Sequence, residues 1–380
     1  RMVEEGTDED HECTTAAMLG EATADGHTLM AQNWDQHGDC QANTVLIEQR
    51  IEGEPDPLTY LPMFIMEDPP KHDVQRKVVQ PMFTPQNLAD LEPLIRERAG
   101  LILDALPRNE EFNWVREVSV ELTGRTLATL FNVPQEDRHK LIHWSDTVER
   151  IGDPEYFATP ADAFKELWTC YEYFDGVWKD RLKNPGSDLI SLLAHGEATK
   201  NMPPNEYLGN MLLLIVGGND TTRNSITGGV LALNQHPSEY KKLMDDPGII
   251  PNMVSEIIRW QTPLAHMRRT ANRDIEFQGK KIREGDKVVM WYLSGNRDDE
   301  VIERPNDYII DRARPRQHIS FGFGIHRCVG NRLAELQLTI IWEEILKRFP
   351  EIIVTAEPKR SYSTFVRDYE SMKVLIPTKN

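Results

Sequence analysis

Residues 205–236 contain no proline, while Pro203-Pro204 stands before them and Pro237 just after. Proline opens helices at their first turn and stops them when it follows. Six apolar residues, Met211 to Val216, lie in the first half of this stretch. The stretch reads as one helix from about residue 205 to His236, roughly 48 Å long at 1.5 Å per residue. A rod of that length spans a whole domain, so other elements must pack around it. Helical spacing recurs from Thr84, with Leu88, Leu91, Leu94, Ile95, Ala99, Ile102 and Leu106 three or four apart. More helices are expected over 114–131, 135–150, 161–182, 251–260 and 331–348. Between the last two lie strand-like pieces, Asp274–Phe277, Lys281–Arg283 and Lys287–Trp291. Near the start, Thr28–Gln32 and Thr44–Glu48 also read as strands. The expectation is a mainly α fold with small β-sheets, and 380 residues allow two domains or one large one.

Composition removes several functions. The formal charge of −18 argues against non-specific nucleic-acid binding, which needs a cationic surface. No apolar run approaches the roughly 20 residues of a membrane span. Arg1–Asp10 is too acidic for a signal peptide. The four cysteines, Cys13, Cys40, Cys170 and Cys328, form no C-x-x-C pair. A zinc or iron–sulfur site is therefore unsupported, and free thiols in a reducing cytoplasm are expected.

The richest stretch is Phe321-Gly-Phe-Gly-Ile-His-Arg-Cys-Val-Gly330, just before the helix expected over 331–348. Cys328 sits in a glycine-rich turn at a helix start, where backbone N–H groups can favour a thiolate. Such a sulfur could be a nucleophile, a soft metal ligand or an inert buried thiol. Gly322-x-Gly324 is no nucleotide loop, because Arg327 occupies the third glycine position. F-x-x-G-x-H-x-C resembles the haem-binding loop of the cytochrome P-450 superfamily, the haem-thiolate monooxygenases. The resemblance implies haem b as cofactor, Cys328 as the axial ligand of its iron, and Phe321 and His326 as haem contacts.

Three other motifs fit the same family in its order. Gly217-Gly-Asn-Asp-Thr-Thr222 interrupts the long helix with two glycines, each costing about 1 kcal/mol relative to alanine. Close helix packing would explain such a pair; so would a functional groove. The Thr221 hydroxyl can bond back to the carbonyl of Gly217. The resemblance makes this the oxygen-binding groove, with Asp220 and Thr221 as the acid–alcohol pair that delivers protons to dioxygen. Glu256-Ile-Ile-Arg259 sets opposite charges on one helix face. A surface pair would be worth little; by resemblance Glu256 and Arg259 join Arg297 in a buried structural network. His72 and Arg76, one turn apart, match the family's H-x-x-x-R. With His326 and Arg269, or its neighbour Arg268, they would bind the haem propionates.

The resemblance covers roughly Leu61 to Asn380. Within the family it is nearest to the bacterial soluble terminal hydroxylases of alkanes and fatty acids. It implies insertion of one oxygen atom of dioxygen into a C–H bond of a hydrophobic small molecule, at the terminal carbon of a medium chain. Leu213, Leu214, Val216, Leu264 and Met267 would build the apolar wall. Electrons would come from a separate ferredoxin and its reductase. Arg312, Arg314, Arg316, Arg327 and Arg332 form a basic run beside the cysteine loop that could dock an acidic ferredoxin, or could instead bind propionates and neighbouring carboxylates. Residues 1–60 do not look like the family's usual N-terminal portion. Cys13-Thr-Thr-Ala and Gln32-Asn-Trp-Asp35 resemble the start of penicillin acyltransferase-type N-terminal-nucleophile hydrolases. Residues 1–60 then read as a fused, non-catalytic hairpin fragment, and 61–380 as the monooxygenase domain. The competing function is a cysteine amidohydrolase using Cys13.

Overall fold

An antiparallel hairpin opens the described part of the chain, which comprises residues 14–18, 29–33 and 61–378 apart from 152, 154 and 362 of this computed structural model. The chain divides into two units, Arg1–Asp56 and Pro57–Asn380. In the first, β1 (Thr14–Met18) pairs with β2 (Leu29–Asn33), Thr14 opposite Asn33 and Met18 opposite Leu29. The strand expected over Thr28–Gln32 is β2, shifted by one residue. Cys13 and the strand expected over Thr44–Glu48 lie outside the described residues.

The second unit is built from helices. They are α1 (Lys71–Val79), α2 (Pro85–Asp104), α3 (Glu121–Leu130), α4 (Arg138–Glu149), α5 (Pro160–Lys183), α6 (Leu189–His195), α7 (Pro204–Gln235), α8 (Pro237–Asp245), α9 (Ile250–Gln261), α10 (Tyr292–Gly295) and α11 (Asn331–Arg348). Capping sets several of the starts. Thr84 and Thr159 accept from the backbone N–H of Asn87 and Asp162, and Pro85 and Pro160 take the first helical positions. Pro237, which ends α7, also opens α8. The helix expected over 114–131 forms, but its first turn, Val115–Val120, is wound more loosely than an α-helix. Helix α7 is the 32-residue rod that the sequence indicated. Its flanks bury Leu208, Met211, Ile215, Ile226, Val230 and Leu233 in the core shared with α3, α4, α9 and α11.

Short strands complete the unit. Antiparallel β4 (His266–Thr270) and β7 (Lys287–Trp291) enclose a hairpin of β5 (Ile275–Phe277) and β6 (Lys280–Ile282). A three-stranded sheet has the order β3 (Glu111–Asn113), β11 (Lys373–Leu375), β8 (Ile353–Val354), and β9 (Lys359–Arg360) pairs with β10 (Tyr369–Ser371). The fold is mainly α with small sheets. Among the described residues no helix is long and apolar enough to cross a membrane.

One charged network ties α9 to the loops that follow it. Glu256 and Arg259 are both wholly buried, with Nη2 2.7 Å from Oε1. Arg259 Nη1 also donates to the carbonyls of Asn296 (2.9 Å) and Pro305 (2.8 Å), and Nη2 to that of Asp307 (3.1 Å). The second cation on Glu256 is Arg312, whose Nε lies 3.1 Å from Oε2. Arg297, expected to join this network, is buried, donates to the carbonyls of Arg259 and Trp260 and stacks over the Trp260 ring at 4.5 Å. Removing one member leaves the rest charged and out of water. Glu256→Ala, which strands two guanidinium groups, is expected to cost about 3–5 kcal/mol. Arg297→Ala removes donors to the backbone carbonyls of Arg259 and Trp260 and is expected to cost about 1–3 kcal/mol. Denaturant unfolding of the two variants checks the order, which reverses if Arg297 is the principal partner of Glu256.

Candidate active site

The cysteine loop closes on itself. Between β7 and α11 the chain has little regular structure, so its backbone groups need other partners. The Cys328 N–H donates to the Phe321 carbonyl at 2.9 Å, joining the two ends of the F-x-x-G-x-H-x-C stretch. The turn between them uses Gly322 at φ +69° and Gly324 at φ +76°, a left-handed conformation that costs other residues free energy. A Cβ on Gly322 would also lie 2.9 Å from the Tyr292 hydroxyl. Upstream, the Asn296 side chain accepts from the Ile319 N–H (2.8 Å) and donates to the Ser320 hydroxyl (2.8 Å), which donates to the Ile258 carbonyl (2.8 Å). The loop is thereby strapped to α9.

The Cys328 side chain is accessible, as are Phe323 (84 % exposed) and Ile325 (51 %) beside it. Burial by surrounding protein pushes the thiol above its ordinary value, while the Gly330 N–H, Arg76 and Arg327 pull it back. The Gly330 N–H at the helix start thus favours the thiolate, against the opposing effect of desolvation.

The four expected anion-binding residues gather beside this loop. His72 and Arg76 lie on α1. Arg76 Nη2 donates to the carbonyl of Arg327. The His72 and His326 rings are 4.2 Å apart, edge to face. His72 is 1 % exposed; Nδ1 meets Asp73 at 2.8 Å, but Nε2 has no partner. His326 Nδ1 is likewise buried and unpartnered. Burial first, then His72, Arg269 and Arg76, push the His326 imidazole down to about 4. Arg269 thus acts on this group, whereas Arg268, on the opposite face of β4, acts on His266. Phe321 lies 6.0 Å beneath the Arg327 guanidinium. Two unsatisfied imidazole nitrogens and two guanidinium groups suit a ligand carrying two carboxylates.

Helix α7 supplies a different surface. In its buried middle, Leu213, Gly217 and Thr221, four residues apart, stay accessible with Val216 beside them and so share one stripe. The glycine pair divides two tasks. A Cβ on Gly218 would come within 2.8 Å of Leu127 on α3, whereas one on Gly217 would meet nothing within 4 Å. Gly218 allows close packing and Gly217 leaves open space. The Thr221 hydroxyl donates back to the Gly217 carbonyl at 3.1 Å. Leu264 and Met267 are partly accessible, but Leu214 belongs to the core and not to the stripe. Asp220 is wholly buried, accepting from Ser145 (2.9 Å) and Asn219 (2.8 Å), and burial raises its carboxyl to about 6.

Sequence reasoning missed Arg312 as the partner of Glu256, and Ser145 and Asn296 altogether. Arg312 leaves the basic run, since it is buried on Glu256, while Arg314, Arg316, Arg327 and Arg332 remain exposed. Their partners are distant in sequence, so no local spacing marks them.

Comparison with known proteins extends these features to the whole unit. A family model described as Cytochrome P450 matches residues 249–376. Linalool 8-monooxygenase of Pseudomonas putida is 36 % identical over 317 residues, covering 83 % of this chain and 78 % of that protein. A methyl-branched lipid omega-hydroxylase of Mycobacterium tuberculosis is 32 % identical over 375 residues, covering 95 % and 86 %. Among solved structures, cytochrome P450-153 from Novosphingobium aromaticivorans superposes with a TM-score of 0.80 at 44 % identity, covering 86 % of this chain and 81 % of that one. The hydrolase-like reading of residues 1–60 gains no support from these comparisons. A closed cysteine loop, unsatisfied donors for two carboxylates and an open groove on a long buried helix occur here in a fold shared with such relatives at well over 30 % identity, and the chain belongs to the cytochrome P450 family of haem-dependent monooxygenases.

Proposed function

We propose that the protein hydroxylates the terminal carbon of medium-chain alkanes or fatty acids, with electrons from a ferredoxin and its reductase in the cytoplasm. The observation that carries the site is the pair His72 Nε2 and His326 Nδ1, buried together beside Cys328 with no hydrogen-bond partner in the chain. The Cys328 sulfur would hold the haem iron, with Phe321 beside it, and His72, Arg76, Arg269 and His326 would hold the carboxylates of the haem. Haem, when bound, supplies the reductive activation of dioxygen. The rest is done by this chain. Hydroxylation consumes two electrons and two protons for each oxygen atom inserted, the second oxygen leaving as water. Thr221, on the open stripe of α7, hands protons inward from Asp220 behind it. Leu213, Val216, Leu264 and Met267 exclude water and orient the chain. A terminal methyl has stronger C–H bonds than the methylenes behind it, so attack there depends on orientation and not on reactivity. The omega-hydroxylase relative supports that regiochemistry. Glu256, Arg259 and Arg297 act structurally. Arg314, Arg316, Arg327 and Arg332 dock the acidic ferredoxin.

Three measurements test this reading. Cys328→Ala is expected to abolish the thiolate-type carbon-monoxide difference spectrum, while Cys170→Ala leaves it intact. Thr221→Ala is expected to consume reducing equivalents but release much of the oxygen as peroxide; unchanged product per electron would count against its role. With octane and a medium-chain fatty acid as substrates, terminal alcohols should dominate the products. Predominantly mid-chain oxidation would overturn the substrate assignment and leave the haem site standing.

A further inference from the structure

Helices α4 and α7 meet across a buried cluster of charge. From α4 come Asp146 and Glu149, three residues apart and on one face. From α7 come Asp220 and Arg223, also three apart, and Asp368 joins from the segment before β10. Arg223 Nη1 lies 2.8 Å from Asp146 Oδ1; Nη2 lies 2.9 Å from Glu149 Oε2, 3.2 Å from Asp368 Oδ1 and 3.4 Å from Asp220 Oδ1. One guanidinium therefore faces four carboxyl groups. Asp146 is 35 % exposed, but Glu149, Asp220 and Asp368 are at 7 %, 0 % and 4 %. Carboxylates so close together and out of water cannot all ionise, so the cluster must hold at least one proton.

The contacts locate that proton. Asp220 accepts from Ser145 on Oδ2 and from Asn219 on Oδ1. Asp368 accepts from the Ser361 hydroxyl at 2.6 Å and from Arg223. Glu149 Oε2 takes its bond from Arg223, but Oε1 is buried with no partner. One carboxyl oxygen from each of Asp146, Glu149 and Asp220 lies within 4.8 Å of the others, and hydrogen bonding between Glu149 and Asp220 is among the effects that favour a protonated Glu149. Burial, and next the charge of Asp220, push the Glu149 carboxyl up to about 10. A metal ion among these carboxylates has a competitor already in place, since the Arg223 guanidinium supplies the cation.

We propose that Glu149 is a neutral acid at rest and passes its proton to Asp220, with Asp146 as the solvent-side end of the same relay. This rests on the proposed role of Asp220 in proton delivery. In the step, the Glu149 O–H bond breaks and an O–H bond forms on Asp220; Glu149 is left as a carboxylate beside Arg223. The next proton comes from water by way of Asp146.

Glu149→Gln keeps the shape and the Arg223 contact but removes the acidic proton. Infrared spectroscopy of the purified protein near neutral pH, with and without haem, should show a deuterium-sensitive band of a protonated carboxyl that Glu149→Gln lacks. Stability gives a second readout. Folded Glu149 keeps its proton up to about 10, whereas an unfolded glutamate loses it near about 4.3. Between those values the folded state binds more protons, so stability falls as pH rises, and Glu149→Gln should flatten that slope. Turnover by Glu149→Gln should drop roughly tenfold or more, with a larger solvent deuterium isotope effect. A missing band in the parent protein, or a band that survives in Glu149→Gln, overturns the proposal whether or not any substrate is oxidised. A lost band with unchanged rate and isotope effect overturns the relay. If Asp220→Asn also leaves both unchanged, the failure lies with the role given to Asp220 and not with the protonation of Glu149. Should Glu149→Gln not fold, Glu149→Asp replaces it, and the band must then move in frequency.

Discussion

The Arg259 guanidinium is the contact on which the cysteine loop depends. It is wholly buried and spends its donors on Glu256 and on the carbonyls of Asn296, Pro305 and Asp307. Those carbonyls belong to loops with little secondary structure to satisfy them. A buried ion pair is weak evidence for stability in itself, because desolvation consumes most of the attraction. Its value here is geometric. Arg259 fixes the backbone at Asn296, whose side chain bonds Thr262, Ser320 and the Ile319 N–H. Ser320 precedes Phe321, and the Phe321 carbonyl receives the Cys328 N–H. A continuous chain of bonds thus runs from the last turn of α9 to the backbone of Cys328.

Helix α7 meets a second constraint, because it is at once core and cavity wall. Most of its faces are buried, so the open stripe through Leu213, Gly217 and Thr221 must be carved out of an otherwise apolar helix. Adjacent glycines do this at a cost in helix propensity. One admits Leu127 of α3 and the other leaves room. The residue next to Thr221 is turned about 100° around the helix, which is how Asp220 comes to be buried against α4 while Thr221 stays accessible.

The sequence carries these features unequally. The long helices α2, α5, α7 and α11 are legible because a 3.6-residue period is a local property. Helices α1, α6 and α8 have nine residues or fewer, and β8 and β9 only two each, too short for a period to register. The Glu256–Arg259 pair shows as an i,i+3 spacing, but Arg312, 56 residues further on, gives no local sign of its carboxylate. Strand alternation separates Arg268 from Arg269, yet only the placement of β4 says which of them faces His326. At Cys328 the helix start that favours a thiolate is visible in sequence, whereas the desolvation that opposes it is a tertiary property.

Charge is handled by the same logic on two scales. Across the whole chain the excess is acidic, at −18, and most of it is solvated and costs little. Between α4 and α7 it is not solvated, and four carboxyl groups share one guanidinium. Arg223 makes that cluster tolerable, and its pull keeps Asp220 lower than burial alone would place it. With Asp220 near 6 and Glu149 near 10, the two acids sit on either side of neutrality. The contacts that pack α4 onto α7 therefore also set how many protons stand behind Thr221. Packing and proton content are one arrangement at this junction.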